Sequence, residues 1–241
     1  MGKYLLLLVS LLLGLPALGQ ERQVSPEMKC EAPDGRERHT VAEKMCYDAY
    51  VEANRHVAAA DVVFTGDSIT QFWYSADPDF FESNGFICRG IAAQTSLGVL
   101  ARFRQDVVAL NPKVAVILAG INDIAGNDGK MGMNNTLDNL AAMCDIARAN
   151  GIEPLLCSLT PCSRFFWAPE MKPAPEVVRM NGLIRAYAEE AGVRYVDYWS
   201  EMAGPEGGMN PGYSEDGCHP VAAGYAVMEK VIMDHLSRML K

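Results

Sequence analysis

Basic residues are scarce in this sequence. Against 30 aspartates and glutamates stand 21 lysines and arginines, a formal charge of −9 over 241 residues. A chain this acidic repels phosphate backbones and anionic lipid headgroups, which argues against nucleic acid as a partner and against electrostatic docking on a bilayer. Histidine is scarcer still, with only His39, His56, His219 and His235. No two of them stand at ligand spacing and no cysteine spacing matches a zinc site, so no metal is expected, and nothing calls for another cofactor. No repeat with a period of a few tens of residues and no low-complexity tract or linker divides the chain. Long hydrophobic runs are lacking too. The longest, residues 4–15, falls short of the roughly 20 residues a spanning helix needs.

That run has the proportions of an export signal. Lys3 supplies a positive start, the apolar stretch follows, and Ala17, Leu18 and Gly19 put small residues before Gln20. Residues 1–19 are therefore expected to be removed, leaving an exported protein, periplasmic or extracellular, with a charge of −10 and no integral membrane contact. A retained membrane anchor is the alternative. Export permits disulfides. Seven cysteines leave at least one unpaired or intermolecular, and Cys30 with Cys46, both in an irregular N-terminal arm over residues 20–60, is the best candidate pair. Cys88, Cys144 and Cys157 sit in apolar patterns and read as buried free thiols.

From residue 61 onward, periods alternate. Short β-branched or continuously apolar runs ("DVVFTG", "GFICRG", "PKVAVILAG", "IEPLLCSLT", "VRYVDYW") read as strands buried on both faces. Between them lie helical faces: Leu97, Leu100, Phe103, Val107 and Leu110; then Leu137, Leu140, Cys144 and Ala147; then Val177, Met180, Ile184, Tyr187 and Ala191; finally Met228, Val231, Ile232, Leu236 and Met239. Strand and helix in alternation predict one α/β domain over residues 61–241, a three-layer α/β/α sandwich with right-handed crossovers.

In such sheets the chemistry lies in the loops after the strands. Those loops hold Gly66-Asp67-Ser68, Arg89-Gly90-Ile91, "LAGINDIAGN" and "SEDGCHP". Each alone has a bland reading: Ser68 and Asp67 as helix caps, "GIND" as an Asx turn, "DGCHP" as a turn before a helix. Together they supply what acyl transfer needs. Ser68 is a candidate nucleophile that requires an adjacent base, and His219 is the best placed of the four histidines. Asp216, three residues earlier, can accept the other imidazole N–H. The Ser68 and Gly90 N–H groups and the Asn122 side-chain amide are candidate oxyanion donors, each typically worth roughly 2.7–4 kcal/mol of barrier. Asp67 and Asp123 read as structural carboxylates bonding backbone.

In this order, "GDSIT", "RGIAAQTS", "GIND" and "DGCHP" resemble the four sequence blocks of the SGNH hydrolases, the GDSL-like esterase and acylhydrolase superfamily, from about residue 61 almost to the C-terminus. The resemblance implies Ser68 as nucleophile, His219 as base, Asp216 as its partner, and Ser68, Gly90 and Asn122 as oxyanion hole. It also implies a flavodoxin-like sheet of about five parallel strands. Related sequences often carry further glycines after the equivalent of Gly90, where this chain has Ala92 and Ala93.

The expected activity is carboxylic ester hydrolysis on a small-molecule or glycan ester. Absence of a hydrophobic lid segment, export, and an expected shallow site with few apolar walls favour a short acyl group such as acetyl on a carbohydrate. Phe72, Trp73, Phe165, Phe166 and Trp167 follow strand ends, where they either stack on substrate or pack loops. A lysophospholipase- or lipase-like acyl esterase, an acyltransferase on the same site, and a non-catalytic glycan-binding protein are the alternatives. Oligomeric state is not encoded in any pattern found.

Overall fold

The computed structural model describes residues 45–240. The expected signal segment, most of the N-terminal arm and Cys30 lie outside the described residues. Cys46 is disulfide-bonded, its partner outside that range, and the five other cysteines among the described residues are free and buried.

Five parallel strands form one sheet: β1 (Val62–Gly66), β2 (Ile87–Gly90), β3 (Val114–Leu118), β4 (Glu153–Cys157) and β5 (Arg194–Val196), in the order β2-β1-β3-β4-β5. Every residue of β1, β2 and β3 is buried, as unbroken apolar runs require of strands covered on both faces. The chain enters through α1 (Val51–Arg55). The helices α2 (Ser68–Ala76) and α3 (Pro78–Asn84) then connect β1 to β2, and α4 (Ser96–Asp106) connects β2 to β3. After β3 come α5 (Ile121–Ala125) and α6 (Met133–Ala149), after β4 comes α7 (Ala174–Ala191), and after β5 come α8 (Tyr198–Met202) and α9 (Ala222–Met239). Helix α6 packs on α4 and α7, while α9 packs on α2 and α8. These two groups form the outer layers of an α/β/α sandwich. The strand order is the flavodoxin-like one, which places a topological switch point between β1 and β3.

One helix face differs from its sequence pattern. Of the expected stripe, Phe103 and Val107 are buried and Leu100 and Leu110 pack partly buried against the core, but Leu97 is exposed and α4 ends at Asp106. The buried side also carries Val99 and an ion pair. Arg102 Nη1 meets Asp106 Oδ2 at 3.1 Å, and Arg102 Nη2 donates to the Gly66 carbonyl at 2.9 Å. Apolar periodicity cannot register a charged pair as core-facing, although two such groups bury together when each satisfies the other.

The β1-side core is aromatic. Phe64 and Trp73 meet edge to face with centroids 5.5 Å apart, Phe80 stacks on Trp73 at 5.3 Å, and Tyr225 stacks on Trp73 at 5.7 Å. Trp73 is thereby a packing residue, with its Nε1–H donating to Glu229 at 3.0 Å. The cluster fixes α2 on the sheet, and α2 begins at Ser68.

Candidate active site

Ser68 and Asn122 follow the two strands that flank the switch point. After β1 the chain turns at once into α2, whose N-cap Asp67 accepts the Ile69 N–H at 3.0 Å. Ser68 is the first helical residue, so its N–H has no intrahelical acceptor. Asp67 itself is fully buried. Burial pushes its carboxyl up to about 7, with the Ile69 N–H opposing and neighbouring Asp123 adding to the rise.

The loop before α9 carries His219 and Asp216. Ser68 Oγ lies 2.9 Å from His219 Nε2, and His219 Nδ1 lies 2.7 Å from Asp216 Oδ2. The second oxygen, Asp216 Oδ1, accepts the N–H groups of Cys218 and His219, each at 2.8 Å, and the Ser214 hydroxyl at 3.2 Å. Burial works against the charge on Asp216, but the bonds from His219 and the backbone outweigh it and hold the carboxyl below its ordinary range. The turn tolerates only glycine at Gly217: φ is +84°, and a Cβ there would sit 2.7 Å from Ser163 Oγ.

A pocket of about 430 Å³ opens over these groups, lined by Ser68, Phe72, Ala92, Ala93, Asn122, Asn127, Phe166, Trp167, Asp216 and His219. Its walls are mostly apolar, contrary to the few apolar walls expected from the sequence, because three of the strand-end aromatics converge on it. Trp73 and Phe165 do not; both are buried packing residues.

One wall is hydrogen-bonded. Asn122 donates one N–H to the Gln94 carbonyl at 3.0 Å and accepts at Oδ1 from Asn127 at 2.8 Å, so its amide is oriented and its second N–H stays uncommitted. Asn127 also donates to the Ala93 carbonyl at 3.2 Å. Asp123 accepts the Ser96 N–H at 2.7 Å, the Ser96 hydroxyl, and the Thr136 hydroxyl at 3.1 Å, joining the loop after β3 to the start of α4.

Gly90 is held elsewhere. It is not part of the pocket lining, and its carbonyl accepts the Tyr50 hydroxyl. A glycine is needed there for packing, since a Cβ would fall 2.3 Å from the Gln71 backbone nitrogen and 2.7 Å from the Thr70 carbonyl carbon. Ala92 and Ala93 line the pocket instead; Ala93, at φ +64°, has an N–H with no hydrogen bond among the described residues, whereas the Ala92 N–H is taken by Gln71 Oε1 at 2.6 Å. Sequence reasoning gave no role to Ala93 or Asn127. The available signal was two small residues directly after Gly90, but their backbone direction is a property of the turn.

A profile of the GDSL-like lipase/acylhydrolase family matches residues 64–227. The chain belongs to this family. As a GDSL-family protein it is a carboxylic ester hydrolase. It is similar to a candidate acylhydrolase from Bacteroides fragilis at 40% identity and TM-score 0.79, an alignment covering 82% of this chain and 98% of that one. It is also similar to a GDSL-like lipase from Bacteroides thetaiotaomicron at 39% identity and TM-score 0.78, covering 80% and 98%. An acetylxylan esterase from Geobacillus stearothermophilus, at 16% identity and TM-score 0.56 over 75% of this chain and 95% of that one, shares the fold. No curated protein matches the sequence at a significant level.

Proposed function

We propose that this GDSL-family hydrolase works through a Ser68–His219–Asp216 triad and releases a short acyl group, such as acetyl, from a carbohydrate ester outside the cytoplasm. The observation that carries the triad is the unbroken chain of 2.9 Å and 2.7 Å contacts from Ser68 through His219 to Asp216. With Asp216 ionised and bonded at Nδ1, the imidazole keeps its proton there and leaves Nε2 free to take the Ser68 proton.

Ser68 Oγ attacks the ester carbonyl carbon and its proton passes to His219 Nε2. The carbonyl oxygen becomes an oxyanion. Its donors, in this reading, are the Ser68 N–H, the uncommitted Asn122 N–H and the Ala93 N–H, which we assign in place of Gly90 because Ala93 lines the pocket and Gly90 does not. Collapse breaks the bond to the alcohol oxygen, which leaves with the proton from His219. Water then attacks the acyl-Ser68 ester, gives its proton to His219, and Ser68 departs with that proton restored. The net charge of −9 disfavours anionic lipid surfaces, which supports the short-acyl reading over a lipase-like one. Export rests on the pattern of residues 1–19.

The test compares p-nitrophenyl acetate with p-nitrophenyl octanoate for wild type and Ser68→Ala. The expected result is faster cleavage of acetate and loss of both activities in the variant. Faster cleavage of octanoate would overturn the short-acyl part, and turnover surviving in Ser68→Ala would overturn the triad.

A further inference from the structure

The pocket lining divides into two groups by what touches what. The loop after β2, with Ala92 and Ala93, is hydrogen-bonded to the segment of Asn122 and Asn127, on and just after α5. Phe72, Phe166 and Trp167 gather instead around the His219 ring, with centroids 5.3, 6.4 and 6.1 Å from it. These three are among the few large hydrophobic side chains that the described residues expose, at 41%, 67% and 39%.

This aromatic rim is built. Phe72 stands one turn after Ser68 on α2. Buried Phe165 backs Trp167 at 4.8 Å, and Phe166 meets Trp167 edge to face at 4.8 Å. The loop is strapped to the triad loop by the Ser163 N–H to the Gly217 carbonyl at 2.9 Å, and by Arg164 to the carbonyls of Asp216 at 2.8 Å and Glu215 at 3.2 Å. The loop of Phe166 and Trp167 is thereby tied to the loop of His219.

That relation says which half of the ester the rings meet. The proton that expels the alcohol comes from His219 Nε2, so the leaving oxygen must come within hydrogen-bond reach of that nitrogen. Its carbon substituent then lies over the His219 side, whereas the carbonyl oxygen turns to the Asn122 and Ala93 donors. We propose that Phe72, Phe166 and Trp167 form the subsite for the leaving alcohol, and that this alcohol is an uncharged sugar ring. Aromatic faces carry negative charge density that suits the polarised C–H face of a pyranose, and half-open rings leave the sugar hydroxyls in water. An acidic chain disfavours a phosphate-bearing alcohol at the same place. An acyl tail, in contrast, would meet the Ala92/Ala93 wall.

The inference rests on the ester-hydrolase reading and is tested by a ratio. kcat/KM is measured for acetylated methyl glucosides, ethyl acetate and ethyl octanoate in wild type and in a Phe166→Ala/Trp167→Ala variant, with thermal melting as the fold control. The preference for sugar acetate over ethyl acetate is expected to fall at least tenfold in the variant, with the octanoate-to-acetate ratio on ethanol unmoved. A variant that loses all three esters equally, one that changes the acyl-length ratio instead, or a wild type with no preference for the sugar acetate overturns the subsite. Hydrolysis of any of these esters that depends on Ser68 would leave the ester-hydrolase reading standing in each of those cases.

Discussion

Replacing Asp216 by asparagine is a demanding perturbation because the two carboxylate oxygens do different jobs. Oδ1 is held by the backbone N–H groups of Cys218 and His219, each at 2.8 Å, whereas Oδ2 faces His219 Nδ1 at 2.7 Å. An asparagine keeps its oxygen where the two backbone donors are, since turning its NH2 toward them would set donor against donor. The NH2 group must then face His219 Nδ1, which becomes an acceptor and moves the ring proton to Nε2. That tautomer cannot take the Ser68 proton. The loop keeps its backbone bonds, so stability should change by only about 1 kcal/mol, while kcat should fall by about 10⁴. Steady-state kinetics on p-nitrophenyl acetate at neutral pH, beside a thermal melt, measure both. A variant that folds normally and loses only about tenfold or less would refute the assignment of Asp216 as the group that sets the His219 tautomer.

Gly90→Ala tests packing against chemistry at a position with no place in the pocket lining. With backbone atoms of α2 at 2.3 and 2.7 Å from the new Cβ, the variant should lose about 1–3 kcal/mol of stability, visible as a fall in Tm; an unchanged melt would contradict this packing. Asp67→Asn tests the buried carboxyl. Its folded-state pKa is raised from 3.8 to about 7, so the folded protein keeps a proton that the unfolded chain releases. Wild-type stability is therefore drawn down as pH rises across that window. The Tm of Asp67→Asn relative to wild type should climb from about pH 4 to about pH 7 and level off above it; a pH-independent difference would contradict the burial.

The alternation of β-branched runs with amphipathic helices made the sandwich legible, since unbroken apolar strands have few other homes. The site was legible where one residue type serves one chemistry. Ser68, His219, Asp216 and Asn122 follow strand or loop positions that the sheet brings together, and the structure places all four around one pocket. What sequence could not yield depends on direction. Gly90 stands out because glycine is conspicuous, yet the close approach of α2 accounts for it, while inconspicuous Ala92 and Ala93 line the pocket. The buried side of α4 was legible only in part for a related reason: Phe103 and Val107 are buried as their spacing implies, but Arg102 and Asp106 bury each other beside them, and hydrophobic spacing is blind to that. The aromatic rim lay in plain view as residues, but sorting Phe72, Phe166 and Trp167 from Trp73 and Phe165 required knowing which rings the core absorbs.

The nucleophile can be identified directly. Incubation with an activated organophosphate, followed by peptide mass spectrometry, should find one adduct, on the Ser68 oxygen, forming in step with loss of esterase activity and failing to form in His219→Ala. An adduct on any other side chain that tracks the lost activity, or full activity with Ser68 modified, would contradict the account.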